Sequence, residues 1–153
     1  MLGEFCDSLE GADIDEVTLA VGSDSRIGKK YLQGALGYGG PCFPRDNIAL
    51  VASAKSFGID ASIAEGTDSI NNRQVERIVT LVRNVAKPGA TVSIFGLSYK
   101  PDTPVCDESQ SIEIANRLSG SGFQVFAYDE LVVDAPELSP NVVAHSAVSD
   151  DLL

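Results

Sequence analysis

Ala90-Thr91-Val92-Ser93-Ile94-Phe95-Gly96-Leu97 is an unbroken β-type run that lands on a glycine. After one loop, Ile112, Ile114, Ala115 and Leu118 recur at helical spacing, and Phe123-Gln124-Val125-Phe126-Ala127-Tyr128 supplies a second β-type run. Strand, helix and strand in that order make a βαβ unit, so the two strands are parallel and joined by a right-handed crossover. Asn141-Val142-Val143-Ala144 offers a third strand. Three strands are a fragment of a doubly wound domain rather than a comfortable whole.

Ligands of such units sit at the carboxyl ends of the strands. The loop Ser98 to Asp107 carries Lys100 and leads into a helix N-terminus, an arrangement that suits an anionic phosphate. No G-x-G-x-x-G is present, and Asp102, Asp107 and Glu108 crowd the same loop, so a solvated surface lysine is equally open. Asp129 ends the second strand where a ribose-binding acid would stand; without the glycine fingerprint it reads as a loop acid.

Upstream the periodicity is helical throughout. Leu2, Phe5, Cys6 and Leu9 share one face. Asp13 with Glu16 offers a capping-box-like start to a helix that Gly22 stops. Ile48, Val51 and Ala54 mark a helix from Pro44 to about Phe57, ended by Gly58. The longest periodic stretch, Ser62 to Lys87, carries Ile63, Ile70, Ile78, Leu81, Val82 and Val85 before Pro88-Gly89. It is either an ordinary long core helix or one whose uncovered apolar stripe meets a second subunit. The expected architecture is therefore α + α/β: a helical segment over residues 1–87, then a partial Rossmann-like parallel-sheet domain over residues 88–153.

Between the helices lies Gly37-Tyr38-Gly39-Gly40-Pro41-Cys42-Phe43-Pro44-Arg45-Asp46. Glycine at this density allows positive φ and lets a backbone approach a ligand. Pro44 suits the first residue of a helix, which places Cys42 at a helix N-terminus, where the dipole favours negative charge. The loop is a nucleophile mount, or an ordinary turn beside a small buried thiol.

Composition narrows the classes. The 153 residues carry 22 acidic against 11 basic side chains, which argues against a nucleic-acid or anionic-membrane surface. Cys6, Cys42 and Cys106 are odd in number and widely spaced, matching neither a zinc site nor a disulfide framework, so no metal is expected and a reducing cytoplasm is the natural compartment. No apolar run reaches membrane-spanning length, and no signal peptide is apparent. The only histidine, His145, reads as a surface or strand-end residue. Both ends look cut, the first within a helix and the last at Asp150-Asp151-Leu152-Leu153.

The loop from Gly37 to Asp46 closely resembles the catalytic-cysteine signature of the UDP-glucose/GDP-mannose dehydrogenases, G-[FY]-G-G-S-C-F-P-K-D. Asp24-Ser25-Arg26-Ile27-Gly28 resembles that family's D-x-R-I-G. Gly96-Leu97-Ser98-Tyr99-Lys100-Pro101-Asp102-Thr103 with Glu108-Ser109 is similar to its G-L-[AS]-[FY]-K-x-x-T…E-S, and Tyr128-Asp129 to its aromatic-Asp strand end. The resemblance implies NAD-dependent oxidation of a nucleotide sugar's primary alcohol to a carboxylate, serving polysaccharide biosynthesis. Cys42 would attack the aldehyde, giving a thiohemiacetal and then a thioester, and Asp46 would position or deprotonate water. Arg26, Tyr31, Gly37, Tyr38, Gly39, Gly40, Phe43, Tyr99 and Lys100 would lie along the substrate, Arg26 reaching a neighbouring subunit's site and Lys100 also nearing cofactor phosphates. A homodimer through the long central helix is implied.

The departures are Pro41 for Ser, Arg45 for Lys, Asp107 where an arginine is frequent, and Glu130 for Pro. The family's NAD-binding domain and catalytic lysine are not in this sequence, so the expectation is a fragment, inactive alone, of a nucleotide-sugar dehydrogenase. A non-catalytic dimerisation or nucleotide-binding remnant is the alternative. The choice among UDP- and GDP-hexoses is left open.

Overall fold

The computed structural model describes residues 1–145 and 147 and divides into two units, Met1–Leu36 and Gly37–Leu153. In the first, α1 (Leu2–Asp7) and α2 (Ile14–Gly22) pack together. Cys6 is buried. Asp13 is the N-cap of α2, and its carboxylate accepts the Asp15 N–H at 2.7 Å. This satisfies one of the donors that a helix start leaves open, typically worth about 1 kcal/mol.

The second unit holds α3 (Phe43–Ser56), α4 (Ser62–Val85), β1 (Thr91–Phe95), α5 (Gln110–Gly120), β2 (Gln124–Tyr128) and β3 (Val142–His145). The strands form one sheet in the order β1-β2-β3, all parallel, with Val92 opposite Val125 and Val125 opposite Val142. This is the Rossmann-like α/β arrangement, following an all-helical stretch, that the sequence predicts.

The core lies between sheet and helices. Val75 and Val79 of α4 meet Ile112, Ala115 and Leu118 of α5, which cover Val125, Ala127 and Val142 of the sheet. Val79, Leu118 and Val125 are completely buried, and each such side chain contributes about 1.5–3 kcal/mol. Ser109 caps α5, its hydroxyl accepting from Ile112 N, and so fixes where the β1–α5 loop ends. Asn116 of α5 holds the β2–β3 connection, donating to Glu137 O at 2.8 Å and accepting from Ser139 N at 2.7 Å. His145 ends β3 half-buried, its ring 5.6 Å from that of Phe126.

The helix α3 buries none of its residues. It is tied to α4 by Lys55–Glu65 at 2.6 Å and by Asn47 Nδ2, which donates to Ala64 O at 2.9 Å. No helix among the described residues is long and apolar enough to cross a membrane.

Candidate functional site

The loop Gly37-Tyr38-Gly39-Gly40-Pro41 delivers Cys42 to the N-cap of α3. The helix begins at Phe43, one residue earlier than Pro44 alone suggested, and Pro44 sits in its first turn, where a missing N–H costs nothing. Cys42 is exposed and its side chain makes no capping hydrogen bond. Its carbonyl accepts the Asp46 N–H at 2.8 Å, the first helical bond, so Asp46 stands one turn along the same face. Arg45 pairs with Asp46 at 2.9 Å. The Arg45 guanidinium is held above its ordinary value by the hydrogen bond to Asp46, then by that carboxylate's charge, then by Cys42. All three side chains are exposed, so the cluster adds little to stability.

The loop itself is gripped by protein. Asn71 of α4 clasps the Tyr38 backbone in both directions: its Oδ1 accepts from Tyr38 N at 2.7 Å and its Nδ2 donates to Tyr38 O at 2.9 Å. Gln110, the first residue of α5, accepts from Gly37 N at 2.6 Å through Oε1 and donates to Asn71 Oδ1 at 3.2 Å through Nε2. Gly40 N donates to Asp107 O at 2.8 Å. These contacts change the meaning of the glycines. The sequence suggested room for a ligand, but a Cβ on Gly37 would fall on Asn71 Oδ1 and Gln110 Nε2, one on Gly39 on the Glu108 carbonyl, and one on Gly40 on the Tyr99 ring. The missing side chains let the cysteine loop seat against α4 and the β1–α5 loop.

Tyr99 and Lys100 stand in that β1–α5 loop. Asp129, at the end of β2, shapes its start: one carboxylate oxygen accepts from Leu97 N at 2.7 Å and Ser98 N at 3.0 Å, the other from Leu131 N at 2.8 Å and Val132 N at 3.2 Å. Burial alone would raise the Asp129 carboxyl, but the four N–H donors outweigh it and hold the group below its ordinary value. Lys100 is exposed, with Nζ 5.4 Å from the centre of the Tyr99 ring. Asp102 and Glu108 both take positive φ, at 61° and 50°, within this loop. For residues other than glycine this left-handed region costs about 1–3 kcal/mol each.

A groove of about 590 Å³ runs between the start of α3, α4 and the start of α5, lined among others by Tyr38, Asp68, Asn71, Gln110, Glu113 and Arg117. Of the residues singled out from sequence, Tyr38 lines it; Cys42 and Lys100 do not. The Tyr38 hydroxyl donates to Asp68 Oδ1 at 2.5 Å. Burial, then that hydrogen bond and the charge of Asp68, push the phenol up to about 12. Phe43, largely exposed, sets its ring 6.0 Å from that of Tyr38. Cys106 is the opposite of Cys42: it is buried, its Sγ donates to Pro104 O at 3.7 Å, and burial followed by Glu137, Asp129 and Asp107 pushes its thiol up.

Arg26 and Tyr31 belong to the first unit. The Arg26 guanidinium grips Asp24 at 2.7 Å, which lowers the Asp24 carboxyl and raises Arg26; Tyr31 is 98% exposed. The structure thus brings the loop from Gly37 to Asp46 together with Tyr99 within the second unit. Asp68 and Gln110 carry no local sequence signal, because their partners lie 30 and 73 positions away.

The central-domain model of the UDP-glucose/GDP-mannose dehydrogenase family matches residues 1–73, and that family's UDP-binding-domain model matches residues 93–151. The UDP-glucose 6-dehydrogenase YwqF of Bacillus subtilis (strain 168) is 35% identical over 153 residues, 98% of this chain and 34% of that protein. TuaD of the same organism, also a UDP-glucose 6-dehydrogenase, is 36% identical over 142 residues, 90% of this chain and 30% of that protein. Among solved structures, a UDP-glucose dehydrogenase from the hyperthermophilic archaeon Pyrobaculum islandicum superposes with a TM-score of 0.81 at 32% identity, covering 92% of this chain and 33% of that one. The chain spans about a third of the length of the curated relatives it matches. Two models of one family, matched in chain order across both the cysteine loop and the parallel sheet, mean that this chain belongs to the UDP-glucose/GDP-mannose dehydrogenase family.

Proposed function

We propose that this chain supplies the thiol half-site of a nucleotide-sugar 6-dehydrogenase acting on a UDP-hexose, with UDP-glucose the first candidate. The observation that carries this is Cys42: an exposed thiol at the N-cap of α3, not used in capping, on a loop anchored by Asn71, Gln110 and Tyr99. A helix N-terminus stabilises negative charge developing beside it.

In this reading the Cys42 sulfur donates an electron pair to the C6 aldehyde carbon, the carbonyl π pair moves to oxygen, and that oxygen takes up the proton the thiol releases, giving a thiohemiacetal. A nicotinamide cofactor would supply the hydride acceptor for both oxidations, C6 alcohol to aldehyde and thiohemiacetal to thioester. Water, oriented by Asp46, then attacks the thioester carbon; the C–S bond breaks, Cys42 regains its thiol and the uronic acid leaves. Lys100 and Tyr99 would meet the substrate's phosphates and sugar, and Arg26 would reach the substrate site of a neighbouring subunit.

The sheet in this chain does not fit the cofactor. The turn after β1 has no G-x-G-x-x-G, and the Asp129 carboxylate that would hold a ribose already accepts four backbone N–H groups. The assembly we propose is a homodimer through α4.

Iodoacetamide labelling with peptide mapping tests this. Cys42 is expected to react before Cys6 and Cys106, and saturating UDP-glucose is expected to slow Cys42 alone. Equal rates for the three thiols, or no slowing by UDP-glucose, would overturn it.

A further inference from the structure

Four backbone groups fix the loop before Cys42. Tyr38 N and Tyr38 O are held by Asn71, Gly37 N by Gln110, and Gly40 N by Asp107 O. Asn71 is itself braced: Gln110 Nε2 donates to both its Oδ1, at 3.2 Å, and its backbone carbonyl, at 3.4 Å. With its Oδ1 accepting from Gln110 and from Tyr38 N, the Asn71 amide is fixed in the orientation that directs Nδ2 to the Tyr38 carbonyl. The Gln110 side chain therefore holds the loop directly at Gly37 and indirectly at Tyr38. It does so from the first residue of α5, whose start is fixed by the Ser109 cap and packed into the core.

We propose that Gln110, acting with Asn71, is a positioning residue for Cys42. The inference rests on the reading of Cys42 as the nucleophile. Gln110 does not touch the thiol. It sets the place from which the five residues Gly37 to Pro41 carry the chain into the N-cap, and a displacement near 1 Å at a nucleophile is costly in rate. Its contribution should appear where the sulfur must meet the sugar, and be absent where only the nucleotide is held.

Gln110→Met keeps the length of the side chain and removes both polar atoms. In the full chain, UDP affinity measured by calorimetry is expected to stay within about twofold of the parent, while protection of Cys42 from iodoacetamide by UDP-glucose falls by about fivefold, the scale of one or two lost hydrogen bonds. Gly37→Ala is the independent second variant, because its Cβ would fall on Asn71 Oδ1 and Gln110 Nε2; it should reproduce the loss, and the double variant should be no worse than either single one. If the parent's Cys42 is not protected at all, the nucleophile reading fails and this inference with it. If the parent is protected and Gln110→Met is protected equally, the positioning role alone is overturned. A matching loss of UDP affinity in Gln110→Met also overturns it, since Gln110 would then support the nucleotide site rather than the thiol.

Discussion

The Tyr99 ring occupies the space where a side chain on Gly40 would begin: a Cβ there would stand 2.5 Å from Cε2 and 2.6 Å from Cδ2. Gly40 also has φ of +86°, a conformation that L side chains rarely adopt. One residue thus joins the cysteine loop to the β1–α5 loop and turns the chain at the same point.

Gly40→Ala should therefore be among the more damaging loop substitutions. The backbone and the contact together are expected to cost about 2–4 kcal/mol, read from urea unfolding. Adding Tyr99→Ala should recover the contact part and leave the backbone part. A single-variant effect within about 0.5 kcal/mol would show that the two loops part easily.

Asp129 is expected to matter for stability more than an ordinary loop acid. Asp129→Asn keeps one acceptor but turns an NH₂ toward backbone donors, and should cost about 1–3 kcal/mol at neutral pH. The folded carboxyl lies below its ordinary value of 3.8, so in acid the unfolded chain takes up the proton first. The stabilisation is complete above the ordinary value and is lost as pH falls through the lowered folded one. Unfolding curves collected from pH 6 down to pH 2 should show parent and variant converging; a constant gap would rule out this carboxylate as the source.

The elements of this fold are legible because each rests on local chemistry: Asp13 caps α2, Pro44 sits in the first turn of α3, Pro88-Gly89 separates α4 from β1, and a β-type run makes β1. The site is legible only in part. Cys42 and Lys100 stand in distinctive strings, but what seats the loop is Asn71 and Gln110, ordinary amides whose partners lie 33 and 73 positions away. The same limit explains Asp129. Its type and position are visible in the string, and Leu131 N and Val132 N reach it locally, but Leu97 N and Ser98 N reach it only because the ends of β1 and β2 lie side by side. The glycines show the reverse: a local rule explains why they are small, and only tertiary contacts show what takes the space.

Tyr38 gives an alkaline counterpart. Its phenol is pushed up to about 12 from 10.0, so between those values the folded protein keeps a proton that the unfolded chain releases. Its contribution is complete below pH 10 and declines as pH rises toward 12. Tyr38→Phe should remove this part of the alkaline loss and, by leaving Asp68 without its donor, lower stability modestly at neutral pH, by about 1 kcal/mol. Urea midpoints at pH 8, 10 and 11.5 decide it: parallel slopes for parent and variant would contradict the assignment.

The proposed homodimer has a definite face. At 100° per residue, Ile63, Ile70, Leu81 and Val85 fall within about 60° of one another on α4, while Val75, Ile78, Val79 and Val82 turn toward the core. Ile63 and Val85, near the two ends of the helix, are 87% and 86% exposed. A helix of 24 residues is about 36 Å long, enough for a standard-sized interface when two copies align. Ile63→Asp and Val85→Asp would each place a carboxylate in that interface, with an expected loss of at least tenfold in dimer affinity, about 1.4 kcal/mol. The fold of the monomer should be unaffected, because neither side chain is covered within one chain. Sedimentation velocity over a concentration series separates the outcomes: a parent dimer shifted to monomer by either variant supports the α4 interface, and a parent that stays monomeric, or variants that dimerise as the parent does, places any partner of this stripe elsewhere.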